Sequence, residues 1–385
     1  MRIKATAMAV VAAGCLLAAG CGSDDSGSGS GDGGGKKAAT VGMQIILDKT
    51  GIASFANIEA DKGVRLAIDQ INADKLLGDT KVTPTYSDAA SDQRQAVQRV
   101  SKAVKQDPAV IVFGTQSAES LAVAPIAQRA KIPMVLLASG AADPGKLGDY
   151  IFRATVAQPQ LAPLQSAYFK SKGVKTVAIV SASDSPVFKI QAQETYPDLA
   201  KKDGYEIVHT SNLTQADTDF SSDISTIMSK KPDAVIALLT GTQVLPFLSN
   251  LQRAGYQGLV GGQPGMGSGT LKPLGQKAKG AVWPTDFSSE GADAQSSKDF
   301  DAAYKAKYNA DPTPYAAEGF DAVMFAANGL KEASSFDPTA VRDGLLKAAG
   351  TGVDVATGHL TFEERDARTK GIMVTWDGTK EVPAQ

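Results

Sequence analysis

Short apolar runs alternating with amphipathic stretches predict an α/β protein of two lobes, each a doubly wound parallel sheet flanked by helices. Three observations carry this. Runs such as AVIVFG (109–114) and AVIALL (234–239) are apolar throughout, as strands buried on both faces must be. Between such runs, apolar residues recur at helical spacing, as at Val64, Ala67, Ile68 and Ile71. The length, 385 residues, suits two domains of ordinary size.

The chain opens differently. Arg2 and Lys4 precede an apolar run from Ala5 to Ala19, shorter than the roughly 20 residues that cross a bilayer, and this reads as a signal-peptide core. The run ends in LAAGC (17–21), which resembles a bacterial lipobox and makes Cys21 the expected site of lipidation. It departs from that pattern in having Ala18 three places before the cysteine, with Leu17 one further out. Cutting before Cys15 would leave apolar Leu16 and Leu17 at the mature end. The bland alternative is a plain secretory signal with an incidental cysteine. Residues 21–38, nearly all Gly, Ser and Asp at first, cannot bury enough apolar surface to order themselves. They read as a flexible tether holding the body on the order of 20–25 Å from its anchor.

The body starts at about residue 39. VGMQIIL (41–47) is a strand, followed by the helix bearing Val64 to Ile71, a weaker strand KVTPTYS (81–87), and a helix marked by Ala96, Val97, Val100 and Ala103 with Ser91 as its cap. AVIVFG leads to a helix from about Glu119, kinked or shifted by Pro125, and then to PMVLLA (133–138). The pattern repeats through YIFRA (150–154), TVAIVS (176–181), YEIVHT (205–210), AVIALL and LVGG (259–262), with helices near 160–171, 188–202, 220–229 and 243–254. Near 280 the alternation breaks. AVWP (281–284) precedes helices near 295–308, 314–333 and 338–348, then the short strands HLTF (359–362) and GIMVTW (371–376). Returning chain of this kind fits lobes joined by several crossovers.

Composition excludes much. Apolar residues make up 43%, charged 21%, and net charge is −2, so no basic field attracts nucleic acid. The cysteines are Cys15 and Cys21 alone, leaving the exported body without a disulfide, thiol nucleophile or Cys-based metal site. PGMGSGTLK (264–272) lacks the spacing of a phosphate loop. His209 and His359 are far apart, on predicted strands, and read as structural; Trp283 and Trp376 read as hinge or core. No Ser/His/Asp arrangement stands out. No catalysis, cofactor or metal is expected.

Several segments then carry a resemblance: TGIASFANIEADKGVRLAIDQIN (50–72), GTQSAESLAVAPIA (114–127), IPMVLLASGAADP (132–144), FRAT (152–155), TDFSSDISTIMSKKPDAVIAL (218–238) and FDAVMFAANGL (320–330). In order and spacing the body resembles the type I periplasmic binding proteins of the leucine/isoleucine/valine-binding group, from about Ala39 to Pro383. The resemblance implies two lobes on a three-strand hinge that close on a ligand, a Venus-flytrap. It implies lobe 1 from 39–155 plus 283–357 and lobe 2 from 156–282 plus 358–385. It also implies a monomeric, extracytoplasmic solute-binding protein serving an ABC permease, with a sensor subunit of a signalling system as the alternative.

Ligands of open parallel sheets bind beyond the strand carboxyl ends, beside helix N-termini. That picks out Gly114–Ser120, whose free N–H groups suit a carboxylate. The resemblance places Ser117 and Ala118 there. In the second loop it aligns Gly140 where relatives often carry Thr, so that Ser139 would supply the hydroxyl and the Ala138 carbonyl would accept from an ammonium. Phe55 would wall the cleft. From lobe 2 come Phe188 in place of a Tyr, Thr240, and Gln263 where amino-acid binders place an acid. A neutral Gln263 forgoes a charge-assisted bond worth roughly 1.5–3 kcal/mol. This widens the expected ligands from neutral amino acids to amides and small organic or aromatic acids. Asp184 is the alternative counter-charge.

Overall fold

The computed structural model describes residues 39–385 apart from Thr115, Ala142 and Ser268. The leader, Cys21 and the tether lie outside the described residues. Strands β1 (Thr40–Leu47), β2 (Lys81–Asp88), β3 (Val110–Phe113), β4 (Met134–Leu136) and β5 (Ile151–Arg153) pair in parallel in the order 2-1-3-4-5. Strands β6 (Thr176–Ser181), β7 (Glu206–Thr210), β8 (Ala234–Leu238), β9 (Leu259–Gly261) and β10 (Val282–Thr285) repeat that winding in a second sheet, as 7-6-8-9-10. The chain then returns to the first sheet as β11 (Val353–Val355), β12 (Gly358–Glu363) and β13 (Asp366–Arg368), and ends in the second as β14 (Ile372–Trp376) and β15 (Glu381–Pro383). The result is two doubly wound lobes linked by three passages, at 154–157, 286–294 and 369–371.

The helices are α1 (Ser54–Ala73), α2 (Gln93–Ala103), α3 (Ser117–Ala130), α4 (Pro144–Leu147), α5 (Gln158–Ser171), α6 (Pro186–Ile190), α7 (Tyr196–Asp203), α8 (Ser221–Lys230), α9 (Gly241–Arg253), α10 (Gln295–Tyr308), α11 (Pro314–Glu332) and α12 (Pro338–Thr351). No helix among the described residues is long and apolar enough to cross a membrane. β3 and β8 are buried at every position, which is why their sequences read as unbroken apolar runs. α1 and α11 cross with backbone against backbone: a Cβ on Gly63 would strike the carbonyl oxygen of Ala316, and one on Gly319 that of Ala60. Small residues at the crossing let the helices cover the first sheet closely.

Several local expectations change. Strand pairing puts β12 and β13, expected with lobe 2, in the first sheet, and β10, expected mainly with lobe 1, in the second. Pairing of Asp366 with Arg153, in register and through their side chains, holds β13 beside β5. Asp92, not Ser91, caps α2, its carboxylate accepting from Gln95 N at 2.9 Å. Ser91 sits at φ 52° and its hydroxyl accepts from Ala53 N at 3.0 Å, tying down the loop after β1. α3 starts two residues before Glu119 and runs through Pro125.

Candidate functional site

In each sheet the winding reverses between the first strand and the third, so loops on the carboxyl side part there and leave a crevice. The first sheet contributes the loops after β1 (Ile52, Ala53, Phe55) and after β3 (Gln116, Ser117). The second contributes the loops after β6 (Ser185, Val187, Phe188) and after β8 (Leu239, Thr240, Gly241). All four meet in one cleft of about 670 Å³, including its part open to solvent. Ala138, Gln158, Gln215, Gln263, Gly265 and Tyr315 complete the walls.

The lobes touch around this cleft. A Cβ on Gly241 would meet the Phe55 ring at 2.6 Å, and one on Gly140 would meet Val187 Cγ2 at 2.6 Å. Phe55 packs edge-on against Tyr315, with ring centroids 5.7 Å apart. Together the two rings form an apolar wall facing Phe188 of the second lobe.

Of the residues singled out from the sequence, Phe55, Ser117, Ala138, Phe188, Thr240 and Gln263 line the cleft. Ser117 is the first helical residue of α3, not its cap, and its Oγ accepts from Ala141 N at 3.1 Å. That bond fastens the two first-lobe loops together. Thr240 caps α9 in a reciprocal box with Gln243, whose amide nitrogen reaches the carbonyls of Thr214 and Asp217. The other three lie off the wall. Ala118 faces outward, and its carbonyl accepts from Gln93 Nε2 at 3.4 Å. Ser139 is buried, its hydroxyl makes no hydrogen bond among the described residues, and it is not among the residues lining the cleft. Gly140 packs against Val187. Asp184 is exposed and accepts from Gln215 N at 2.9 Å, outside the lining.

Gln263 is held from behind. It is 3% exposed, and its Oε1 accepts from Gln191 Nε2 at 3.4 Å. Gln191 begins a widened π-helical turn, Gln191–Thr195, between α6 and α7. Such turns re-aim side chains near functional sites. The Tyr196 hydroxyl donates to Gln165 Oε1 at 2.6 Å, and Gln165 Nε2 donates to the carbonyl of Gly262, the residue before Gln263. The amide nitrogen of Gln263 makes no hydrogen bond among the described residues, although its side chain lies near enough to the Tyr196 hydroxyl to favour that group's ionised form.

A buried guanidinium ties the Ala138–Gly140 loop to the strands. Arg153 donates through Nη1 to the Ser139 carbonyl at 2.6 Å and through Nε to Asp366 Oδ1 at 2.7 Å. Asp366 also accepts from Gln160 Nε2 at 3.1 Å and pairs with Arg368.

Two pairs of buried carboxyls flank the cleft. Burial, reinforced by Asp48, pushes Glu119 in the first turn of α3 up to about 9. Asp48, also raised by burial, accepts from Ser91 N at 2.9 Å. Beside Tyr315, burial raises Glu318 well above the carboxylate range and Asp286, in the second passage between lobes, to about 6. Asp321, one turn along α11, is raised to about 8 by burial although Ala356 N and Thr357 donate to it. None of these carboxyls was singled out from the sequence. For Glu119, Glu318 and Asp321 a carboxyl inside an apolar helix was the available signal, whereas Asp48 and Asp286 each stand directly after a strand. The histidines have local partners: His209 contacts Asp223 at 2.9 Å and His359 contacts Asp354 at 2.7 Å.

Tyr315, Gln158 and Gln215 also went unread in the sequence. Tyr315 stands one residue inside α11, after the Thr313 cap and Pro314, and a helix start is the signal that could have found it.

The family profile described as periplasmic binding protein matches residues 40–377. Among curated relatives, Leu/Ile/Val-binding protein homolog 8 of Brucella abortus (strain 2308) is 25% identical over 279 residues, covering 68% of this chain and 69% of its own. A leucine binding protein, LivK, of Thermotoga maritima superposes with a TM-score of 0.81 at 22% identity, over 90% of this chain and 98% of its own. A solute binding protein of an ABC transporter from R. palustris, solved in complex with benzoate, superposes with a TM-score of 0.81 at 19% identity, over 89% and 95%. These two structures share the fold.

Proposed function

The chain belongs to the periplasmic binding protein family, and from that premise we propose that it is the extracytoplasmic solute-binding protein of an ABC importer. The observation that carries the reading is the meeting of four switch-point loops, two from each sheet, in one cleft. A solute seated on one lobe adds contacts with the other only when the lobes close. Its differential affinity for the closed form therefore drives closure, and the closed outline is what a permease reads. Relatives carry names for leucine, isoleucine and valine binding, and one structural neighbour holds benzoate. The solute here belongs to the same size range: a neutral amino acid, a related amide, or a small organic or aromatic acid.

The lobe division follows the sheets, with three passages as the hinge. The family is extracytoplasmic, and the lipobox-like LAAGC supports anchoring of a monomer through a diacylglyceryl group on Cys21. Hydroxyls, amides and rings in the cleft support binding without turnover.

Small-angle scattering tests the reading. Addition of a solute that raises the melting temperature should also reduce the radius of gyration. A tight solute that leaves the radius unchanged refutes closure. Loss of uptake of that solute in a deletion strain is the expected cellular result. Retained uptake with a lost transcriptional response would replace the importer by a sensor.

A further inference from the structure

We propose that the cleft selects an uncharged carboxamide with an aliphatic or aromatic body, and discriminates against carboxylates and zwitterionic amino acids. The inference rests on the reading of this cleft as the solute site and narrows its ligand.

No lining side chain among the described residues is a carboxylate, an ammonium or a guanidinium. An anion or cation sealed there would lose its hydration with no counter-charge to replace it, which strongly disfavours a charged ligand. The one position where an acid would meet an α-ammonium is Gln263. The lining is instead rich in amides, with Gln116, Gln158, Gln215 and Gln263 on the walls.

Two of these amides present opposite unspent groups. Gln263 Nε2 is a buried donor that makes no hydrogen bond among the described residues, held in place because Gln191 occupies the oxygen of the same amide. Gln158 Oε1, at the start of α5, is a buried acceptor with no hydrogen bond among the described residues. A buried polar group left unpaired is destabilising, so each favours a ligand that completes it. A carboxamide carries both a C=O acceptor and N–H donors, so it matches both kinds of unspent group. A carboxylate offers acceptors only and leaves the Gln158 oxygen facing another oxygen. An ammonium offers donors only, and a zwitterion, which offers both kinds of group, brings two full charges to a cleft whose described lining holds none.

The surroundings act in the same direction. The free N–H groups opening α3 would ordinarily draw an anion. Here Glu119 lies within that first turn, held protonated near neutral pH because burial and Asp48 raise it to about 9, and the negative charges of Asp92 and Asp88 reach the same turn. A ligand carboxylate at Ser117 would enter that field without a cation in the lining. The rest of the wall is apolar. Phe55 and Tyr315 from the first lobe and Phe188 from the second suit a compact hydrocarbon or ring.

Isosteric pairs test this on the unmodified protein. Benzamide with benzoate, and isobutyramide with isobutyrate and L-valine, are titrated by calorimetry near neutral pH. Each amide is expected to bind at least about tenfold tighter than its acid, and isobutyramide tighter than L-valine. An acid or L-valine binding as tightly as its amide overturns the proposed class and leaves the solute-binding reading standing. So does any other solute that binds and compacts the protein while neither amide does. If no solute of any class binds or compacts it, the solute-binding reading falls as well. Replacing the donor by Gln263→Leu should weaken amide binding by about tenfold. Gln263→Glu should shift preference toward L-valine. An unchanged amide affinity in a folded Gln263→Leu protein overturns the role given to Nε2. Should either variant fail to fold, the isosteric pairs decide alone.

Discussion

Replacing Arg153 by Met should unfold the first lobe at markedly lower denaturant than the second. The guanidinium is 3% exposed, and its contacts include two to Asp366 Oδ1 and one to the Ser139 carbonyl at 2.6–2.7 Å. Removing one partner of a buried pair costs about 3–5 kcal/mol, because the other charge stays desolvated. Asp366 keeps Gln160 and Arg368, so the lower end, about 3 kcal/mol, applies to the carboxylate. The abandoned Ser139 carbonyl adds about 1 kcal/mol. The expected loss is therefore about 4 kcal/mol. Both tryptophans of the chain, Trp283 and Trp376, pack in the core of the second lobe. In a urea titration the far-ultraviolet dichroism should acquire an early phase while tryptophan fluorescence lags. Arg153→Met/Asp366→Leu, which removes both charges, should return to within about 2 kcal/mol of the parent. A single variant within about 1 kcal/mol of the parent, or a double variant no better than the single, would refute the reasoning.

Two further outcomes are expected. Asp286, Glu318 and Asp321 all titrate higher in the fold than in the unfolded chain, where carboxyls lose their protons near pH 4. Their contribution is complete below that value and is lost as pH rises through the folded values of about 6 for Asp286 and about 8 for Asp321. Melting temperature should therefore fall from pH 5 to pH 8, and Glu318→Gln, which keeps the neutral shape, should flatten the fall; a rise over that range contradicts the assignment. At the α1–α11 crossing, Gly63→Ala should destabilise by about 3 kcal/mol, the upper end for overpacking, because the atoms its methyl meets belong to the Ala316 backbone and cannot swing aside. Helix propensity alone predicts the opposite sign, a gain of about 1 kcal/mol, so a melting temperature at or above that of the parent refutes the packing argument.

The cleft also shows how binding and stability share residues. Arg153 anchors the loop carrying Ala138, while Ser117 fastens that loop to the start of α3. Gln191 spends its amide on Gln263 rather than on the ligand. Side chains that touch a solute thus depend on others that hold them, which limits the geometry available to the ligand.

The amino-acid sequence by itself determined the class of fold, because both periodicities it rests on are local. Wholly apolar, β-branched runs as short as AVIVF and AVIAL, alternating with helical stretches, read as strands buried on two faces. The face Val64, Ala67, Ile68 and Ile71 can only be buried as a helix. Much of the cleft was legible too, since strand ends and helix starts mark it, and Phe55, Ser117, Ala138, Phe188, Thr240 and Gln263 stand at such places. Tertiary structure decided the rest. The strand DAR (366–368) carries two charges in three residues and has no strand signature; it forms because Asp366 meets Arg153 far away in the chain. Ser139 and Gly140 adjoin the cleft in sequence, yet side chains at successive positions point in different directions, and only packing against Arg153 and Val187 fixes which way. Tyr315 and Gln158 reach the site from beyond the passages between lobes, and the buried carboxyls acquire their protonation from burial. Such properties arise from groups distant in sequence, which no local pattern records.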